Sequence, residues 1–158
     1  MFNTKLAAVH IARRWMAIAI FAGTQLEYVQ IRDLALDQSA AEKTLVEFVR
    51  RMLAQFEIDR VALQRLPPDA PGRAQALHSG LTSSLREAAV SIWNISKPDI
   101  MNAFGVPPLT SRGQLHQTIS QIWPWLKNLR NGQAALGATA IGLYFQTEHI
   151  LSLATQSE

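Results

Sequence analysis

The side chains that most clearly suggest a binding function are basic, and they are concentrated in the second half of the chain. Residues 100–147 contain three Lys or Arg and no Asp or Glu. Contacts to nucleic-acid phosphates need only Lys and Arg placed along one surface, so this stretch is a candidate DNA interface. With three basic residues from outside it, the candidates are Arg13, Arg14, Lys97, Arg112, Lys127 and Arg130. Three charges in a stretch of this length are also typical of an ordinary solvated surface.

Most conventional catalytic motifs are absent from the sequence. The chain has no cysteine, which excludes disulfides, thiolate zinc sites and cysteine nucleophiles. It also lacks the glycine-rich loops that hold phosphates and the Gly-x-Ser-x-Gly turn of serine hydrolases. His78, His116 and His149 are far apart in the sequence, and we interpret each as a half-exposed helix residue rather than a metal ligand.

Length and composition predict one globular domain covering residues 1–158. The chain has a mass of 17.5 kDa, with 48% hydrophobic and 17% charged residues, which is typical of a folded core. The net charge of +3 permits a nucleic-acid partner without requiring one.

One apolar stretch, residues 15–23, follows Lys5, Arg13 and Arg14 and imitates the start of an export signal. It is too short to span a bilayer, and its apolar residues alternate as in a strand. We therefore expect a soluble, cytoplasmic protein with no membrane partner.

The apolar pattern predicts three strands at residues 6–12, 15–21 and 26–34, joined by short turns into an antiparallel meander. Two further strands are predicted at residues 60–66 and 90–95. Each is preceded by a helical stripe of apolar residues, at 45–56 and 77–89, so the extension is a parallel βαβαβ unit.

Capping signals predict the helix boundaries. Ser39 with Glu42, and Ser111 with Gln114, each have the spacing of a capping box. Pro98 suits the first turn of a short helix that stops by residue 105, before a loop at residues 107–108. Pro124 must end or kink the next helix, and a last helix runs from about residue 131 to 155.

This order of elements predicts an α/β fold of the RNase H-like type. It is a five-stranded mixed sheet, formed by the antiparallel three-strand meander and the parallel βαβαβ extension, with helices on both faces. Residues 134, 138 and 142 are small and recur every four positions, which predicts close approach of the last helix to the sheet.

Within this fold class, the sequence resembles the RuvC-type Holliday-junction resolvases. LAAVHIARRWMAIAIF at residues 6–21 is similar to the family's first hairpin, and SIWNISKPDIMNAFG at residues 91–105 to its fifth strand and short helix. Residues 111–115 resemble the start of the following helix, with Arg112 where the family has a basic residue facing DNA. AALGATAIG at residues 134–142 is similar to the start of the last helix. The likeness spans nearly the whole chain.

The resemblance implies a DNA-cleaving site in which four carboxylates hold two magnesium ions. The four matching positions are His10, Gln64, Ala134 and Gly137, and none of them is a carboxylate. No plausible shift of register supplies an Asp or Glu. We therefore expect no catalytic residues, no metal ligands, no cofactor and no two-metal cleavage.

His10 and Gln64 remain as polar residues where the family's site would lie. They could bind a phosphate, or a metal weakly. The simpler interpretation is that they hydrogen-bond each other or the backbone.

Three functional hypotheses follow from these patterns. The first is a RuvC-like protein without catalysis that acts as a DNA-binding or assembly component in recombination or repair, on branched or duplex DNA. The second is a protein-interaction module, or a homodimer as in the family, that uses an exposed surface at Trp123 and Trp125. Alternatively, these two rings form a small satellite core under the last helix. The third is an active junction endonuclease with unorthodox ligands that include His10.

Overall fold

A computed structural model describes residues 5–105 and 109–156, with side chains described up to residue 149; the loop predicted at residues 107–108 lies outside the described residues. The strands are β1 (Lys5–Ile11), β2 (Trp15–Ala22), β3 (Gln25–Asp33), β4 (Arg60–Gln64) and β5 (Ser91–Ile95). The helices are α1 (Gln38–Phe56), α2 (Gly72–Glu87), α3 (Lys97–Ala103), α4 (Arg112–Ile122) and α5 (Gly132–Gln156), with a 3-10 helix at Pro124–Asn128.

The five strands form one mixed sheet in the order β3-β2-β1-β4-β5. β1, β2 and β3 pair antiparallel, while β4 pairs parallel with both β1 and β5. Gly23 turns the chain between β2 and β3 with a φ of 59°, a conformation that glycine adopts without steric cost. The predicted meander and parallel extension are both confirmed.

Helices cover both faces of the sheet because successive strand residues point to opposite sides. On one face, Ala7 and Val9 of β1 pack with the apolar stripes of α1 and α2. On the other, Leu6 and Ala8 pack with residues of α3, α4 and α5. His10 continues the second series, so its side chain lies on the α5 face.

Small residues allow α5 to lie directly on the sheet. Ala134 and Ala138 are at most 1% exposed, and a Cβ added at Gly142 would lie 2.6 Å from Cδ2 of Phe21 and 3.1 Å from Cβ of Ala8. A larger side chain at these positions would push the helix off the sheet. The predicted smooth face of the last helix is therefore confirmed.

The predicted start of the first helix is wrong by about two residues. Asp37, rather than Ser39, is the N-cap, and its Oδ2 accepts a hydrogen bond from the Ala40 N–H at 2.8 Å. Ser39 lies inside the helix, and the Glu42 side chain packs over Gly80 of α2 instead of completing a capping box. Asp37 caps the helix because its carboxylate is a strong acceptor for the N–H groups of the first turn, and it lies two residues before Ser39.

The remaining boundaries agree to within a few residues, with one informative difference. β4 ends at Gln64 rather than at residue 66, although the Arg65 N–H still bonds to the Ile95 carbonyl at 2.8 Å. The Ser111–Gln114 capping box is present, and α4 ends two residues before Pro124. Among the described residues, no helix is long and apolar enough to cross a membrane.

Candidate functional site: a basic cleft at the carboxyl edge of the sheet

β1, β3, β4 and β5 all end at the same edge of the sheet, which we call the carboxyl edge. From here the chain after β1 turns toward β2, whereas the chain after β4 turns the other way, toward β5. Such a divergence between adjacent parallel strands opens a crevice, and ligands of open α/β sheets bind at this point. His10 and Gln64 follow the last β1–β4 pair, Val9 with Leu63, and therefore stand side by side at the crevice.

The crevice contains a small cavity of about 60 Å³, which we call the central cleft. Gln64 and His10 form its floor, with Gly137, Ala140 and Ile141 of α5 on one side. The remaining lining residues come from α3 and α4 and are Lys97, Ile100, Arg112, Leu115 and His116. Every polar side chain in this lining is an amide, an imidazole or a permanent cation.

His10 is enclosed closely by α5. A Cβ placed on Gly137 would lie 3.2 Å from three atoms of the His10 ring, so the imidazole occupies the room that a side chain at position 137 would need. His10 makes no hydrogen bond with any of the described residues. The expectation that His10 and Gln64 hydrogen-bond each other or the backbone is not met for His10 among the described residues, where the imidazole packs against Gly137 of α5.

Burial, followed by the positive charges of Arg112 and then His116, lowers the pKa of His10 from its usual 6.5 to about 4. Burial and Arg112 also lower the pKa of His116. Both rings are thus neutral at pH 7, and the potential in the cleft disfavours a further positive charge.

The lining of the central cleft does not fit a magnesium ion. Mg²⁺ requires an octahedral shell of hard oxygen ligands, supplied mainly by carboxylates and water. No Asp or Glu lines the cleft among the described residues, and Lys97 and Arg112 would repel a divalent cation. Nor do the described ranges hold any cluster of three His, Cys, Asp or Glu with metal-binding geometry.

Five of the six predicted basic residues lie around the carboxyl edge. Arg13 and Arg14 form the β1–β2 turn with exposed side chains, and Lys97 and Arg112 line the central cleft. Arg130 lines a separate groove with Arg32 and Asp33, at the end of β3.

The sixth basic residue, Lys127, is exposed in the 3-10 helix. Its carbonyl lies 3.3 Å from the position of a Cβ on Gly132, where α5 begins. Of the four positions that the resemblance selects, His10, Gln64 and Gly137 line the cleft, whereas Ala134 is buried one turn earlier in α5.

Sequence reasoning missed two residues at this edge. His116 lines the same cleft as His10, and its position four residues after Arg112 on one helix face could have indicated this. Arg73 anchors the edge: its guanidinium donates to the carbonyls of Arg13, Ala35 and Leu36, at 2.6 to 3.2 Å. No local sequence pattern predicts this clamp, because it joins three segments that are far apart in the sequence.

The two tryptophans next to Pro124 separate in the structure. Trp123 packs edge-to-face on buried Phe21, with ring centroids 6.1 Å apart, as the satellite-core interpretation predicts. Trp125 is 47% exposed and Ile122 is 51% exposed. These two side chains are exposed apolar groups at the end of α4.

No protein-family model matches the sequence, and no curated protein does. Similar folds occur among solved structures. RuvC of T. thermophilus in complex with a Holliday junction substrate superposes with a TM-score of 0.72 at 13% identity, covering 89% of this chain and 91% of that chain. The yeast mitochondrial Holliday junction resolvase gives 0.64 at 9% identity, covering 99% and 87%.

A fowlpox virus resolvase in complex with Holliday junction DNA gives a TM-score of 0.55 at 15% identity, covering 94% of this chain and 98% of that chain. At these identities the likeness concerns the fold. The chain therefore has the RNase H-like fold of Holliday-junction resolvases, as the sequence predicts.

Proposed function

We propose that this protein is a RuvC-like DNA-binding component of recombination or repair that does not cleave DNA by the two-metal mechanism. The observation that supports the proposal is the chemistry of the carboxyl edge. The resemblance to the resolvases implies that metal ions would lie in the crevice at this edge. In this protein the crevice is lined by Lys97, Arg112 and two histidines. Cationic donors suit phosphate groups, whereas metal-dependent cleavage requires anionic oxygen ligands.

The arrangement of the other basic residues supports an extended DNA contact. Arg14 and Arg130 project from segments on the β2–β3 side of the cleft, and Lys97 from the segment after β5. A DNA strand that crosses the carboxyl edge would meet positive charge along the width of the sheet. The solved resolvases with similar folds include two bound to Holliday junctions, which favours branched DNA as the ligand.

Fluorescence anisotropy with a labelled four-way junction and a matched duplex, in magnesium and over a salt series, tests the proposal. We expect binding that weakens with salt, and no product on a denaturing gel. Each phosphate contact removed by Arg14→Ala or Arg130→Ala should lower the slope of log K against log salt by about 1.

Arg86→Ala is the matched control, because Arg86 is exposed in the last turn of α2, at the opposite edge of the sheet. It should leave the salt slope unchanged. Absence of binding at low salt would contradict the proposal. Magnesium-dependent nicking by the pure protein would favour the alternative of an active endonuclease, and His10→Ala would then test whether His10 takes part.

The exposed side chains of Trp125 and Ile122 favour a second candidate function, a protein contact or homodimer. Large aromatic side chains are enriched at the centres of interfaces. Sedimentation equilibrium of the wild type and of Trp125→Ser measures this directly. A monomer–dimer equilibrium that the substitution shifts toward monomer supports a homodimer, and identical monomeric behaviour of both proteins contradicts it.

A further inference from the structure

We infer that the central cleft is an anion site that holds one phosphoryl group between Lys97, Arg112 and His116. This term covers inorganic phosphate, a phosphate at the end of a DNA strand and a phosphate within the DNA backbone. That the group belongs to DNA rests on the function proposed above, whereas the anion site itself does not.

The geometry carries this inference. The side chains of Arg112 and His116 lie one turn apart on the same face of α4, and Lys97 approaches from the start of α3. A guanidinium can donate two parallel hydrogen bonds to phosphate oxygens, and an ammonium adds a compact positive charge. The three donors thus converge on one small volume from two elements.

His10 is the second observation that points to a ligand. Its half-buried ring lines the cleft beside the two cations and His116. An oxygen of an anion bound in the cleft can accept a hydrogen bond from an imidazole N–H.

The charge balance of the cleft favours an anion as well. The lining carries two permanent cations and no carboxylate among the described residues. The pKa values of His10 and His116 are both lowered in part by Arg112, which reports a positive potential inside the cleft. A bound phosphate would reverse this effect and raise both values.

The size of the cleft selects the ligand class. A volume of about 60 Å³ holds a few water-sized groups, which suits the oxygens of one phosphoryl group. Organic cofactors and nucleobases need pockets several times larger. The remainder of a bound nucleotide would have to lie outside the cleft, along the carboxyl edge.

The test uses inorganic phosphate as the probe, at pH 6.5 and constant ionic strength set with sodium chloride. NMR signals of the His10 and His116 rings report occupancy. We expect saturable shifts of both rings with phosphate and none with chloride. Arg112→Gln and, separately, Lys97→Gln should each weaken phosphate binding at least 10-fold, while Arg86→Gln leaves it unchanged.

Thermal melts show whether each variant is folded. Because two exposed cleft residues are substituted separately, the test remains decisive if one of the variants does not fold. Lack of a phosphate-dependent shift in the folded wild type overturns the inference. The same conclusion follows if the shifts survive both substitutions.

Oligonucleotides with and without a 5′-phosphate distinguish the sources of the phosphoryl group. A tighter complex with the phosphorylated strand, lost in Arg112→Gln, assigns the cleft to strand ends. Equal weakening of both strands by Arg112→Gln assigns it to backbone phosphates. DNA binding that is insensitive to Arg112→Gln overturns the DNA assignment, and failure of the wild type to bind any DNA refutes the proposed function while the phosphate titration still decides the anion site.

Discussion

Acidification should destabilise this protein through His10 in particular. The ring packs against Gly137 and lies close to the charges of Arg112 and His116, and its pKa is lowered to about 4. In the unfolded chain the ring titrates near its usual value of 6.5. The folded state therefore binds fewer protons than the unfolded state between these two values. Its stability is complete above pH 6.5 and declines as the pH falls toward 4.

The magnitude follows from proton linkage. At pH 5 the unfolded imidazole is almost fully protonated and the folded one almost fully neutral, which costs about 2 kcal/mol relative to pH 7. Below pH 4 the loss approaches a limit of roughly 3 kcal/mol, since a tenfold change in a protonation equilibrium corresponds to about 1.4 kcal/mol of free energy. For a chain of this size, 2 kcal/mol lowers Tm by about 4 to 8 °C.

Urea unfolding at pH 7 and pH 5, in buffers without phosphate or sulfate, measures the effect. His10→Gln is the control, because a neutral amide fits a strand position and does not titrate. The stability difference between wild type and His10→Gln should shift by about 2 kcal/mol against the wild type at the lower pH. Subtracting the variant removes the contribution of the carboxylates, which titrate in both proteins.

Parallel pH profiles of the two proteins would refute the reasoning, since they would mean that folding does not hold the ring neutral. An NMR titration gives the same answer independently. The His10 signal should stay that of a neutral ring at pH 5.5, well below the pH at which a free histidine becomes protonated.

Four further substitutions test the packing and the hydrogen bonds of Arg73. Gly142→Ala should lower the free energy of unfolding by about 1 to 3 kcal/mol, because the added methyl collides with the fully buried Phe21 ring; Gly113→Ala, whose Cβ meets nothing closer than 3.9 Å, should raise it by up to about 1 kcal/mol, and urea unfolding compares the two. Thr82→Val should be neutral or stabilising in the same assay, because the buried Thr82 hydroxyl finds no partner among the described residues; a loss above about 1 kcal/mol would contradict this. Arg73→Ala should release the β1–β2 turn, so trypsin should cleave the folded variant there several times faster than the wild type; equal rates would mean that the clamp is dispensable.

Local patterns in the sequence determined the elements and their order. The alternation of apolar residues in strands and their spacing in helices reflect the two backbone geometries, so both can be recognised without knowing the fold. The Ser111–Gln114 box, the stop before Pro124 and the small-residue face of α5 depend on neighbours within four residues. All three were predicted and are present.

The start of α1 shows where local signals become insufficient. The spacing of Ser39 and Glu42 predicted a capping box, whereas Asp37 is the N-cap in the structure. The structure decides through packing: Glu42, which would complete the box with Ser39, lies against Gly80 of α2. A side chain engaged in a tertiary contact is not available for a local one.

The central cleft was decided by tertiary structure alone. Its floor comes from β1 and β4, its cations from α3 and α4, and its wall from α5, so His10 and Gly137 meet across most of the chain length. The sequence showed that the selected positions carry no carboxylates, but not that His116 would line the same cleft as His10. These residues meet only because five elements pack around the point where the chain leaves β1 and β4 in opposite directions. No short-range sequence pattern predicts that packing.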